Sequence, residues 1–217
     1  MRDLDSSIPT ATTVSLAVTL RRATADIHQA VEQLPIMTRL TSPTVTRDDY
    51  LDYLRVLADV YAAFEATLLA SLDKELRHEL GLRRKLPAIL DDLASHGRSH
   101  VPQGLANIVP EETGAPLGGI YVLEGATLGG RVIAKHLRRC LGPALGPTAF
   151  LDFYGQEASA SWKRFTGILD RLAAEGLLDP AGVVSGARAT FSLVYRILGN
   201  DQSLCMTDPI PIEPETR

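Results

Sequence analysis

The sequence predicts an all-α fold in a single compact multi-helix domain, and three observations carry that prediction. Apolar residues recur three and four apart through long stretches, no segment alternates as a half-buried strand would, and no internal repeat interrupts the pattern. A chain of 217 residues, 45% hydrophobic, can bury one sizeable core. About six to eight helices fit within residues 15–200, flanked by flexible ends at 1–14 and 201–217.

The first helix spans Ser15 to Leu34. Leu16, Leu20, Ile27, Val31 and Leu34 fall on one side, with Ser15 as cap and Pro35 as stop. Thr46 caps the second, with Asp48 and Asp49 in its first turn, where negative charge suits the positive end of the helix dipole. Its stripe is Tyr50, Leu54, Leu57, Tyr61, Phe64 and Leu68. Residues 73–96 are more charged and less regular, with Pro87 opening a short helix. A loop rich in proline and glycine follows, from Gly97 to Pro116.

A glycine-bearing helix comes next, "YVLEGATLGGRVIAKHLRR". Another runs from about Thr148 to Glu175, with Gly155 as a bend, and a last one opens at Asp179 and Pro180. The last helix carries Val184, Ala187, Phe191, Val194 and Leu198 on one side and closes at Gly199.

Composition narrows function. Basic and acidic residues number 22 and 26, and no run of Lys or Arg forms a nucleic-acid stripe. Cys140 and Cys205 lie far apart without metal-ligand spacing, which suits a reducing compartment. The segment "VSLAVTL" is too short for a signal peptide core, and the apolar stretch Leu117 to Ile133 holds Glu124 and falls short of the ~18 residues of a membrane span. The expectation is a cytoplasmic, soluble protein without nucleic-acid or membrane partners.

Gly125, Gly129 and Gly130 together weaken their helix by about 3 kcal/mol relative to alanine. Gly118, Val122, Gly125 and Gly129 share one face, and a face without side chains admits either a neighbouring helix or a flat ligand. The tandem Gly129 and Gly130 add a kink that suits a planar macrocycle. A metal in such a ligand needs an axial donor. His78, His96 and His100 sit in charged or loop surroundings, and His136 among cations near a helix end. His28 borders the buried stripe of the first helix and points inward, with Glu32 one turn on to meet the second imidazole N–H.

These stretches resemble the haem oxygenase family. The match comprises Ala23, Thr24, Ile27, His28 and Glu32 in the first helix, Val45 to Asp48 opening the second, and "YVLEGATLGG", which looks like the distal haem helix of bacterial members associated with bacteriophytochromes. The likeness covers roughly Leu20 to Leu198 in helix order, with residues 73–115 matching loosely.

The resemblance implies haem as cofactor and substrate, sandwiched between a proximal helix and a kinked distal one, and dioxygen as co-substrate. It makes His28 the iron ligand, with Thr24 and Glu32 beside it. Gly125 and Gly129 become the backbone across the opposite face, and Gly130 assists the kink. The implied reaction opens the ring to biliverdin and releases iron and carbon monoxide. An external ferredoxin or reductase would supply electrons, and a bacteriophytochrome would take up the bilin. Arg21 matches a basic position expected to meet the haem propionates, with Lys163, Arg164, Arg188 and Tyr195 as further candidates.

One position departs from the family pattern. Many relatives carry Asp or Ser directly after the first distal glycine, where this chain has Ala126, whose methyl cannot hold a water. Proton delivery then falls to other waters or backbone groups, with Thr127 and Glu124 as candidates. Ala126 also keeps open a haem carrier or sensor that does not degrade its ligand. A helical interaction protein whose glycines only pack helices is the third reading.

Overall fold

In a computed structural model, which describes residues 15–102 and 115–199, the described residues form nine α-helices and no strand. The expected flexible ends, and residues 103–114 of the expected loop, lie outside the described residues.

Instead of one first helix there are two, α1 (Leu16–Ala23) and α2 (Ala25–Glu32). Thr24 leaves helical geometry at φ −112°, ψ 2° while its buried hydroxyl donates back to the Leu20 carbonyl at 2.8 Å. A threonine bonding its own backbone in this way competes with the helical ladder. Ser15 caps α1 as expected, and its hydroxyl also donates to Asp170 at 2.9 Å. Pro35 starts a helix rather than only stopping one: α3 (Pro35–Leu40) holds it in the first turn, where its missing N–H costs no hydrogen bond.

The longest regular stretch before the loop is α4 (Arg47–Ala70). Thr46 and Asp49 close a reciprocal capping box, the Thr46 N–H donating to the Asp49 carboxylate at 2.9 Å and the Asp49 N–H to the Thr46 hydroxyl at 3.2 Å. These bonds from Thr46 hold the Asp49 carboxyl below the usual range. All six stripe residues of α4 are buried.

Between Asp73 and Gly81 lies α5 (Lys74–Leu80), a regular helix within the charged stretch 73–96. Asp73 caps it and Gly81 ends it at φ +69°. Pro87 lies in the first turn of α6 (Leu86–Ser95).

The glycine-bearing α7 (Ala115–Leu141) is helical throughout, its glycines included. The expected helix from Thr148 does not form as one piece: turns and a short 3-10 segment, Gly155–Glu157, precede α8 (Ala158–Ala174). Gly155 takes φ +50°, so it separates two segments rather than bending one. Asp179 caps α9 (Pro180–Leu198), donors being the N–H groups of Ala181 and Gly182.

Helices α4, α7 and α9 pack together at the centre, with α2 against α9, α3 and α6 against α4, and α1 across α8 and α9. The approach of α7 to α9 is close because Gly118 has no side chain: a β-carbon there would lie 2.1 Å from the Val183 carbonyl oxygen. A β-carbon on Gly119 would lie 2.8 Å from the Leu68 side chain of α4. Both glycines are therefore helix-packing residues, and Gly118 does not share the function of Gly125 and Gly129 that its spacing had suggested.

Gly118→Ala is expected to lower stability by about 1–3 kcal/mol, since the backbone of α9 must give way to the new methyl. Urea denaturation compared with the parent chain measures the loss.

Candidate functional site

Between the α2–α3 side and α7 the structure leaves a cavity of about 630 Å³, with α4 and α9 completing its walls. That volume falls in the range of small-molecule and cofactor sites, about 300–1,000 Å³. Its walls are mostly apolar: Val31 and Met37 come from one side, Leu57 and Val60 from α4, Val122 and Ile133 from α7, and Phe191 and Val194 from α9.

On the α2 wall His28 and Glu32 line the cavity together. Their side chains are 56% and 62% exposed, so His28 stands at the edge of the cavity rather than pointing into the core as expected. The deviation has a local cause, since the break at Thr24 restarts the helix one turn before His28. Its Nδ1 lies 3.6 Å from the Glu32 carboxylate, and Nε2 has no hydrogen-bond partner among the described residues. The Phe191 ring meets the imidazole edge-on at 5.6 Å between centroids, fixing its plane. No group of three or more His, Cys, Asp or Glu is placed to hold a bare metal ion among the described residues. A metal already carried in a porphyrin needs only one such donor.

The opposite wall is α7, where the glycines divide by environment. A β-carbon on Gly129 would meet nothing within 4 Å, and one on Gly125 only the Trp162 ring at 3.6 Å. Both line the cavity with Ala126 and Val122. Gly130 instead faces Leu151, whose carbonyl oxygen would lie 3.2 Å from an added β-carbon. Two glycines thus bare the backbone toward open space, while Gly130 serves packing on another side.

Glu124 and Thr127 do not line the cavity, contrary to their candidacy as proton carriers. One residue along a helix is about a quarter turn or more, which carries Glu124 away from the Gly125 face. Its buried carboxylate pairs with Lys85, itself 2% exposed, and accepts from the Tyr154 hydroxyl at 3.1 Å. Thr127 donates to the Glu124 carbonyl at 2.7 Å. The Lys85 N–H is in turn bound by buried Glu65 of α4. This buried charge network fastens the back of α7 while its front stays bare. Burial, followed by the Glu124 charge, pushes the Tyr154 phenol well above its ordinary range.

The candidate propionate contacts are not assembled at the cavity. Arg188 makes a fork to Asp26 at 2.9 and 3.1 Å and donates to the Ala23 carbonyl, bracketing the α1–α2 junction to α9. Its hydrogen bond holds the Asp26 carboxyl down to about 2. Lys163 and Arg164 are exposed on α8, Arg164 beside Gly81. Tyr195 is 41% exposed on α9, and neither it nor Lys163 lines the cavity. Arg21 is exposed on α1, near enough for its charge to act on Tyr121. Thr24 is buried beside Tyr121, with its hydroxyl turned to Leu20, so it supports the wall from behind.

Sequence reading missed several wall residues. Tyr53, Trp162 and Met37 line the cavity, and Leu57, Tyr61, Phe191 and Val194 serve both as core and as wall. Periodicity marks a residue as turned inward without telling packed interior from open space.

Comparison with known proteins gives one family. The family model described as "Heme oxygenase" matches residues 14–200. A curated protein named heme oxygenase, from Xanthomonas campestris pv. campestris (strain 8004), is 31% identical over 164 residues, covering 75% of this chain and 96% of the relative. Among solved structures, NO- and CO-bound heme oxygenase from Neisseria meningitidis matches with TM-score 0.64 and 21% identity, over 93% of this chain and 100% of that one. Heme oxygenase-1 from the cyanobacterium Synechocystis sp. PCC6803, in complex with heme, matches with TM-score 0.63 and 18% identity, over 88% and 95%. At these identities the solved structures establish the fold.

Lys85→Met is expected to destabilise the fold by about 3–5 kcal/mol, because it strands the Glu124 carboxylate without its cation. Adding Glu124→Leu should restore part of the loss, and urea unfolding of the single and double variants reads both effects.

Proposed function

The chain belongs to the heme oxygenase family, and on that premise we propose that it grips haem between the His28 imidazole and the bare backbone of Gly125 and Gly129. The observation that carries this reading is the opposition of an imidazole with a free Nε2 on one wall to a glycine face open to the cavity on the other. The residues fit the group: the cavity is roomy and apolar, and Val132, 72% exposed beside it, offers further surface for a large flat ligand to cover.

The protein is a haem-degrading enzyme. Bound haem, supplied with dioxygen and external electrons, is both the oxygen-activating cofactor and the substrate, its ring opening to biliverdin as iron and carbon monoxide leave. His28 would hold the iron through Nε2, with the Glu32 carboxylate 3.6 Å from Nδ1 on the other side of the ring, where its charge favours the tautomer that leaves Nε2 free. Gly125 and Gly129 would let the main chain of α7 lie against the ring and keep open the space that larger side chains would occupy. The apolar walls limit water near the ring, which strengthens any hydrogen bond made there.

Ala126 lines the same wall and contributes only a methyl, so its side chain makes no polar contact there. Arg21 is the propionate-facing cation of this proposal, supported by its exposure and its influence on wall residue Tyr121. Electrons come from a ferredoxin or a reductase, and a bacteriophytochrome receives the bilin; the bacterial character of "YVLEGATLGG" supports that pairing. A cytoplasmic site of action belongs to the same reading. No described helix is long and apolar enough to cross a membrane.

Hemin titration of the full chain tests the assignment. His28→Ala should fold as the parent does, because His28 is exposed, yet lose the parental Soret spectrum and all turnover. Parental turnover in that variant overturns the ligand assignment.

Gly129→Leu should fold at least as stably as the parent, since it gains about 0.8 kcal/mol of helix propensity and meets no neighbour. It should bind hemin roughly tenfold or more weakly, a penalty of about 1–3 kcal/mol for filling the bare face. Unchanged hemin affinity, read from the same titration, overturns the cradle.

A further inference from the structure

Three phenols reach the cavity wall: Tyr53, Tyr61 and Tyr121. Tyr61 donates to the Leu123 carbonyl of α7 at 3.0 Å, and Tyr121 lies beside the Thr24 hydroxyl and within reach of the Arg21 charge. Thr41, another hydroxyl on the wall, donates to the Met37 carbonyl at 3.0 Å.

Tyr53 differs. It is only 6% exposed, it lines the cavity from α4, and its hydroxyl has no partner among the described residues. Nor is its oxygen sealed in the core. The sealed side-chain atoms without partners, among the described residues, are His96 Nε2, Thr190 Oγ1 and Arg196 Nε. The Tyr53 oxygen is therefore not sealed, and the residue that carries it lines the cavity.

A phenylalanine at this position would fill nearly the same volume without a polar atom to satisfy. A buried hydroxyl left unbonded is unfavourable, so the group has a use once the cavity is filled. Burial raises the Tyr53 phenol far above its ordinary range, which keeps the O–H in place at every pH where the protein works. A phenol held in this way donates a hydrogen bond without surrendering its proton. It orients a neighbour rather than acting as an acid.

We propose that Tyr53 is the hydrogen-bond donor that orients the small polar molecule, water or a diatomic gas, lying against haem in this cavity, and that it supplies from α4 the polar contact Ala126 cannot supply from α7. The proposal rests on the haem reading above. It makes Tyr53 a positioning residue of the site, with a spectroscopic consequence that a merely space-filling aromatic ring would lack.

The test uses the full chain loaded with hemin, with circular dichroism and thermal unfolding establishing that Tyr53→Phe is folded. In the ferrous carbon monoxide complex, loss of a donor should move the C–O infrared stretch to higher wavenumber. In the ferric complex, the alkaline absorption transition should move up by roughly 0.5–1 pH unit, because an O–H donor favours hydroxide over water. If a folded Tyr53→Phe moves neither signal, Tyr53 is not the donor.

Should that variant fail to fold, the wild-type carbon monoxide band recorded in H2O and D2O decides instead. A shift between solvents supports an exchangeable donor, and an identical band overturns the proposal. Failure of the parent to bind hemin sinks the haem reading and this one with it. Normal binding lost on His28→Ala, with Tyr53→Phe silent, sinks only this one.

Discussion

The Val183 carbonyl oxygen of α9 occupies the place where any side chain on Gly118 would begin, and the geometry of the cavity depends on that contact. It sets how near α7 stands to α9. Helix α2 rests on α9, and the fork from Arg188 to Asp26 holds it there, so the same contact fixes the distance between the wall bearing His28 and the wall bearing Gly125 and Gly129. Glycine does opposite things in the first turns and the middle of one helix. At Gly118 and Gly119 it brings solid elements together, and at Gly125 and Gly129 it keeps them from filling the gap.

Holding a helix with one bare face in place requires fastening elsewhere. The buried Lys85–Glu124 pair, joined by Tyr154 and Glu65, fastens the α7 turn that contains Gly125 from behind. Buried ion pairs add little net stability compared with apolar packing, but each partner is costly to strand, which favours a single arrangement of the elements they join. Tyr61 adds a bond from α4 to the Leu123 carbonyl on the same turn. The polar groups near this turn thus serve mainly to fix the helix in place.

Much of this was legible in the sequence, for physical reasons. Capping residues and the three-and-four rhythm of apolar positions are local signals, so α4 and α9 appear with their caps and most of their buried faces. His28, Glu32, Gly125 and Gly129 were legible as a set, and they do line one cavity. What escaped depends on the third dimension. Thr24 breaks a helix that its neighbours favour, by bonding back to Leu20. Gly155 adopts a left-handed conformation that composition alone does not announce. Gly118 and Gly130 share the pattern of their neighbours yet meet backbone rather than open space. Of the candidate rim cations, Arg188 is engaged elsewhere by a partner the sequence pattern does not reveal, Asp26.

The half-exposed setting of His28 bears on what happens after chemistry. An enzyme that destroys its own prosthetic group must empty and reload with every turnover, unlike a globin that holds one haem for life. On the proposed binding mode, His28 sits on a short surface helix tied down by an ion pair that dissolved salt can screen, and it can let go without disturbing the interior. Discharge of a floppy linear tetrapyrrole and capture of a fresh rigid disc are then matters of the rim alone.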